Sequence, residues 1–435
     1  MSSGQGGRHG APGDGWDDDA IEQVLPQMPR RELVEQEIAR RYRPRPTVER
    51  VAVDDALGRV LAHDVCATFD CPPAQTSCLD GIGVRFDDFA DGVPDTSGWK
   101  LGRDYAVCDT GDDVPDAFDT VIQVENLLFA GADGRPFPGE RGSAPFERGF
   151  SVAKAPQRRG ECVNAPGSAF RAGETIVRAG ERLTPERLSA AVGCGAQVVE
   201  VLARPRVAII PTGDELVEPG RVPGRGATIN SNAVLLSSYV RLLGGEPRVW
   251  PIQPDRHEEI ARSVDEALAT SDIVLVNAGS SKGSEDCGPH VLAERADIVI
   301  HHGQLAAPGR PAMCALTVDG KPMCVIPGPP VAADTAMHWL VFWLVGLWYG
   351  IDPQERLVKV RVDKPVKAGE FEFWRRCRIR RERDGSLSAE LFDRGEMGGI
   401  ETLGCADAIV RNPVDRDLEP GDLADALLLC DGFSL

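Results

Sequence analysis

Apolar positions change their rhythm several times along the chain. Residues 29–42 place Leu33, Val34 and Ile38 at helical spacing behind an opening Pro-Arg-Arg-Glu. Residues 47–65 read as a short strand, a helix near 54–57, a turn at Gly58 and a second strand from Val60. From about 66 to 160, β-type runs such as 83–86 and 120–124 alternate with Asp, Gly and Pro turns, which predicts a β-rich lobe. Residues 130–142 read as a loop within it. Residues 161–203 predict short strands and one helix to about Val192. Thr184 is its N-cap and Pro185 its first residue, and Gly193 and Gly195 end it. Arg187 stands where a full capping box would place Glu or Gln.

From 204 the rhythm becomes α/β. Strands are predicted at 207–210, 273–276, 297–300, 312–317 and 322–326. Helices are predicted at 231–243, capped by Asn230 or Ser231, then at 255–269, starting at Asp255, at 288–295 and at 332–348. Strands alternating with helices of this length predict a mainly parallel, doubly wound sheet. Residues 351–435 return to short strands and turns, the pattern of a small β-barrel or sandwich.

Length and charge narrow the function. A chain of 435 residues allows roughly two to four domains at about 100–200 residues each. The formal net charge of -19 argues against nucleic acid or an anionic membrane as a partner. An anionic ligand would need a local pocket of backbone N–H groups and a few basic side chains. The twelve cysteines form no CxxC or other close-set pattern. The first twenty residues are polar and rich in Gly and Asp, so a disordered tail over 1–22, no secretory signal and reduced thiols in a cytoplasmic protein are expected. The apolar stretch from Ala332 to Tyr349 contains Asp334 and His338 and is short for a membrane span, so a buried helix is expected.

Four clusters near predicted strand ends carry candidate chemistry. Pro211-Thr212-Gly213-Asp214-Glu215 follows a buried strand, and ligands in open α/β sheets bind beyond such ends. Gly213 permits a sharp turn. Asp214 and Glu215 are suited to hold Mg²⁺ there, the plain alternative being a capped turn. Asn277 to Asp286 is a small-residue run suited to closing on an anion, with Gly279, Ser280, Ser281 and Gly283 as contacts. The alternative is a Gly/Ser turn. Pro308-Gly309-Arg310 and Pro327-Gly328 are rigid turns. Arg310 is suited to clamp an oxyanion or, as the alternative, to sit on the surface. Asp80 before Gly81 reads locally as a turn.

Taken in order, these motifs resemble the molybdopterin molybdenumtransferase family over roughly residues 30–430. Its markers are the runs 56–62, 79–81 and 109–111, Val114-Pro115, 171–173, 211–216, 279–286, 308–311 and Pro327-Gly328. The resemblance implies an elongated subunit of α/β plus β class, with a doubly wound molybdopterin-binding α/β domain over 204–349. A discontinuous linker and dimerisation lobe would take 23–65 with 161–203, a β-rich lobe 66–160 and a β-barrel-like domain 350–435. It implies a homodimer whose site lies between the α/β domain of one subunit and the N-terminal lobes of the other. The implied reaction inserts molybdate or tungstate into adenylylated molybdopterin with Mg²⁺ and releases AMP. Other cofactor-synthesis proteins or a recipient molybdoenzyme would be partners. By motif, Asp80, Thr110, Glu186, Asp214 and Asp255 fall on catalytic positions, and Asp286 and Arg310 on binding positions.

The chain departs from the family pattern at several polar positions. Ala169 stands in place of an acidic residue and Ala307 in place of Lys. Pro329 and Ala332 replace Asn and Ser, and Ile82 replaces an aromatic residue. Two readings follow: an active insertion enzyme with an altered site, and a non-catalytic pterin-binding or scaffold paralogue.

Overall fold

The computed structural model describes residues 22–130, 135–139, 146–278, 287–351, 357–392, 399–412 and 414–429. The expected tail falls outside these residues apart from Glu22, and so does most of the loop expected at 130–142. The chain divides into two compact units, Val48–Leu202 and a second formed by Met1–Thr47 with Ala203–Leu435.

The first helix, α1 (Arg31–Arg41), buries Val34 and Ile38, the spacing seen in the sequence. It packs against the strand Ile298–His302 and the late helices, and Val24 and Leu25 donate backbone hydrogen bonds to Val299 and Ile300. Residues 22–47 therefore belong with the α/β part, and not with the lobe expected over 23–65. A short amphipathic helix carries no mark of which apolar surface it covers.

In the unit Val48–Leu202, strand Val48–Ala52 pairs antiparallel with Val198–Leu202, and Val65–Cys66 pairs with Thr175–Val177. A short 3-10 turn, Val53–Asp55, replaces the helix expected near 54–57, and the strand expected from Val60 is reduced to isolated bridges. Helix α2 (Pro185–Gly193) is capped as expected, with the Thr184 hydroxyl accepting from the Arg187 amide. The β-rich part contains two three-stranded antiparallel sheets. One joins Gly81–Val84 to Ala106–Cys108 and Thr120–Gln123. The other joins Leu127–Ala130 to Pro136–Pro138 and Phe150–Val152, so part of the expected loop is a strand.

The remaining unit holds a six-stranded sheet in the order Glu246–Val249, Arg206–Pro211, Ile273–Ala278, Pro322–Pro327, Met313–Leu316, Ile298–His302. The first four are parallel and Met313–Leu316 runs antiparallel to both its neighbours. The central strands read as unbroken apolar runs because helices cover both faces. These are α3 (Asn232–Leu242), α4 (His257–Thr270), α5 (Gly288–Arg295), α6 (Pro330–Ala336) and α7 (Phe342–Trp348), the last two joined by a π-type turn over Met337–Val341. The apolar stretch Pro330–Trp348 has the length and composition of a membrane span, but 72% of it is buried inside the fold. Beyond it, five strands (Glu372–Arg381, Leu387–Leu391, Leu357–Val362, Leu423–Leu428, Ala408–Arg411) close on themselves as a barrel. Ala306–Ala307 adds to its first strand in parallel. The barrel has its own core, including Val360, Cys377, Leu391 and Ala426. All eleven described cysteines are free thiols.

Candidate functional site

The parallel strands end at one rim, and a cavity of about 330 Å³ opens there. It lies beyond the carboxyl ends of Arg206–Pro211, Ile273–Ala278 and Pro322–Pro327, where such sheets bind ligands. Its walls include Thr212, Glu215, Asn232, Asn277, Gly328 and Pro330.

Two buried asparagines hold the rim together. Asn277 donates through Nδ2 to the carbonyls of Ile326 and Pro327, at 3.1 and 3.0 Å. Its Oδ1 accepts from Asn232 Nδ2 at 3.1 Å, and Asn232 Nδ2 also reaches the Gly328 carbonyl at 2.7 Å. Asn232 lies in the first turn of α3, so one amide chain fixes a helix start, a strand end and the turn after a second strand. The Asn230 side chain caps α3 by accepting from the Ala233 amide, which decides between the two caps left open by the sequence.

The first acidic cluster sits at this rim. Gly213 adopts φ +150°, a conformation that residues with side chains rarely take, and a Cβ there would lie 2.9 Å from Leu216 Cγ. Asp214 and Glu215 are exposed. Asp255 is held above the usual carboxylate range, first by burial and then by the negative charges of Glu215 and Asp214. Hydrogen bonds at the Asp214 backbone and the Thr212 hydroxyl oppose the shift. The charges of Glu215 and Asp214 beside Asp255 make this place attractive to a cation or a proton. Among the described residues no group of three or more His, Cys, Asp or Glu side chains gathers tightly enough to cage a metal by itself. Mg²⁺ does not require such a cage, because it keeps several waters and pairs one or two carboxylates with ligand phosphate.

Of the other rim residues expected from sequence, Gly328 lines the cavity and Pro327 ends the strand beneath it. Gly279, Ser280, Ser281, Gly283 and Asp286 lie outside the described residues. Pro308, Gly309 and Arg310 are not among the lining residues. Gly309, at φ +103°, packs so closely that a Cβ would lie 2.9 Å from the Trp339 ring. Arg310 is exposed and rests over Phe371 at 5.1 Å from the ring centre.

In the unit Val48–Leu202, Thr110 donates both its backbone N–H and its hydroxyl to Asp80 Oδ1, each at 2.7 Å. Two residues named separately by motif are thus brought together, and the double donation orients the carboxylate. Glu186 stands in the first turn of α2, and the Thr184 hydroxyl holds its carboxyl below the usual range. Sequence reading missed Asn232 and Thr228, which also line the cavity, and named Thr212 and Asn277 only as members of wider clusters. The only signal of the first two was the amide- and hydroxyl-rich run 228–232 at a helix start.

Comparison with known proteins bears on the same residues. The family described as "MoeA N-terminal region (domain I and II)" matches residues 19–195, and the "Probable molybdopterin binding domain" matches residues 208–345. Molybdopterin molybdenumtransferase of Staphylococcus aureus strain COL is 27% identical over 307 residues, covering 67% of this chain and 69% of that protein. The protein of the same name from Staphylococcus epidermidis is 24% identical over the same span. The molybdopterin biosynthesis MoeA protein from Pyrococcus horikoshii OT3 superimposes with a TM-score of 0.72 at 20% identity, over 92% of this chain and all of that one. A molybdenum cofactor biosynthesis protein from Pyrococcus furiosus does so with a TM-score of 0.57 at 18% identity and 92% coverage of this chain. The solved structures show the shared fold, and with two successive family regions matched along its length, the chain belongs to the MoeA family.

Proposed function

We propose that this protein is a transferase of molybdenum cofactor biosynthesis that inserts molybdate or tungstate into adenylylated molybdopterin and releases AMP. The observation that carries the reading is the strand-end cavity with Glu215 in its wall and Asp214 and Asp255 next to it, in a chain that matches both family regions. The cavity is of a size to take a pterin ring, and its rim is rich in hydrogen-bonding groups. Asp214 and Glu215 would hold Mg²⁺, and the ion would offset phosphate charge as the bond to AMP breaks. Asp255, already disposed to take a proton, suits the role of positioning or deprotonating water. Asp80, oriented by Thr110, is a second carboxylate assigned to the reaction. We further assign a homodimeric assembly, on the family resemblance.

A second reading, a pterin-binding paralogue without turnover, is favoured by one specific observation. Arg310 is turned onto Phe371, and the neighbouring positions 307 and 332 carry alanine. Incubation with adenylylated molybdopterin, Mg²⁺ and either oxyanion separates the two. The enzyme releases AMP and forms metal-bound pterin, and Asp80→Ala abolishes both. Pterin binding without AMP release supports the paralogue, and absence of binding removes both readings.

A further inference from the structure

Helices α3 and α6 both begin at the cavity: Asn232 opens the first, and Gly328 to Pro330 lead into the second. At the rim they are tied by the Asn232 Nδ2 bond to the Gly328 carbonyl, 2.7 Å. A second tie lies deeper. Tyr239, about two turns into α3, donates its hydroxyl to Asp334 Oδ1 at 2.7 Å, and Asp334 is about one turn into α6. The other oxygen of Asp334 accepts from Arg376 Nη2, on the barrel strand Glu372–Arg381. Both members of this ion pair are about 97% buried, with side-chain exposures of 3%.

Removing the cation from such a buried pair leaves the carboxylate without the partner that orients it. The cation comes from the barrel, while the two helices it serves, through Asp334 and Tyr239, form walls of the cavity. We propose that Arg376 is a positioning residue: the C-terminal barrel fixes the spacing of α3 and α6, and so the shape of the ligand cavity, through Arg376, Asp334 and Tyr239. The coupling is reciprocal, because a ligand that favours one spacing of the walls also favours the docked barrel. That the ligand is a pterin rests on the functional reading above; the coupling itself does not.

The nearby buried pair Arg31–Glu372 supplies a control. It joins α1 to the same barrel strand, and Arg31 bonds to Glu32, Glu35 and Glu372 with no hydrogen bond to α3 or α6. Amide hydrogen exchange is measured on the full-length protein and on the variants Arg376→Met, Tyr239→Phe and Arg31→Met, without ligand. Arg376→Met and Tyr239→Phe are expected to speed exchange at the starts of α3 and α6 by about ten-fold, and Arg31→Met by less than about two-fold. Wild-type rates at both helix starts in Tyr239→Phe, the milder change and the deciding variant should Arg376→Met not fold, overturn the proposal. Equal acceleration in Arg31→Met also overturns it, because any loosening of the barrel would then suffice. A parallel titration with metal-free molybdopterin is expected to give about ten-fold weaker binding in Arg376→Met. Failure of the wild-type protein to bind would remove the functional reading and leave the exchange result to decide the coupling.

Discussion

A Cβ at position 81 would lie 2.0 Å from the carbonyl oxygen of Ile122, in the neighbouring strand. The nearest atoms are all backbone of that strand, Ile122 and Gln123, so nothing flexible is there to move. Gly81→Ala is expected to cost about 3 kcal/mol or more, read as a lower denaturant midpoint. An unchanged midpoint would mean that the strands separate freely. Because Asp80 is the preceding residue, the same change should misdirect its carboxylate. The Asp80-Gly81 pair was visible in the sequence as a marker of the family resemblance, but locally it read as a turn. The close strand that demands glycine comes from residues forty positions away, and local pattern does not register it. Asn277 shows the opposite case. It has neither charge nor motif, yet its amide joins two strand ends. Asn277→Ala is expected to destabilise by about 2 kcal/mol, the cost of leaving buried carbonyls unpaired. Chemical denaturation checks this, and a loss below about 0.5 kcal/mol would mean that water replaces the amide.

Among whole elements, helix starts were legible where a side chain had one obvious task. Thr184 caps α2, as its place before Pro185 suggests. Asp255 was expected to begin α4, but the helix starts at His257, because the Asp255 carboxylate is engaged with the Thr212–Asp214 turn instead. A tertiary hydrogen bond overrode a local capping preference. Two buried histidines give the sheet and the late helices a pH response. Burial pushes His301, in the strand Ile298–His302, down to about 4 from the ordinary 6.5. It does the same to His338 in the π-type turn, where Asp334 opposes the shift and Arg376 adds to it. The unfolded chain takes up these protons below 6.5, and the folded chain does not until about 4. Stability is therefore full above that window and falls as pH drops through it, by at most roughly 3 kcal/mol per histidine. His301→Gln should flatten the decline in unfolding free energy between pH 6.5 and 4. A slope equal to wild type would show that His301 protonates without unfolding.

For the molecule as a whole, alternation of strand and helix was enough to anticipate the α/β sheet, while the short strands and turns of 351–435 left a barrel or a sandwich open, and the strand order closes a barrel. The path of the chain between bodies was not legible. Helix α1 packs beside a strand more than 250 residues later in sequence, through contacts that leave no periodic trace. Each of the two units has its own apolar core, around Ile82, Val124 and Phe129 in one and around Ile210, Val276 and Val325 in the other. Calorimetry of the full chain is therefore expected to resolve more than one transition, and Gly81→Ala to lower one of them while the other holds. A single transition that shifts as a whole would show that the cores melt together.

The Ala203 amide donates to the Thr47 carbonyl at 2.8 Å, and the next residues outward, Val48 and Leu202, face each other across an antiparallel ribbon. The chain thus leaves one body and returns to it at adjacent points. Residues 48–202 have the topology of an insertion, a module spliced into a host whose own ends nearly touch. A host gene interrupted at such a place needs no redesign of its fold, and a short peptide joining Thr47 to Ala203 would reclose it. The same closeness lets the host tolerate a cargo of different length or origin at that point, so inserted and host parts are free to diverge at separate rates.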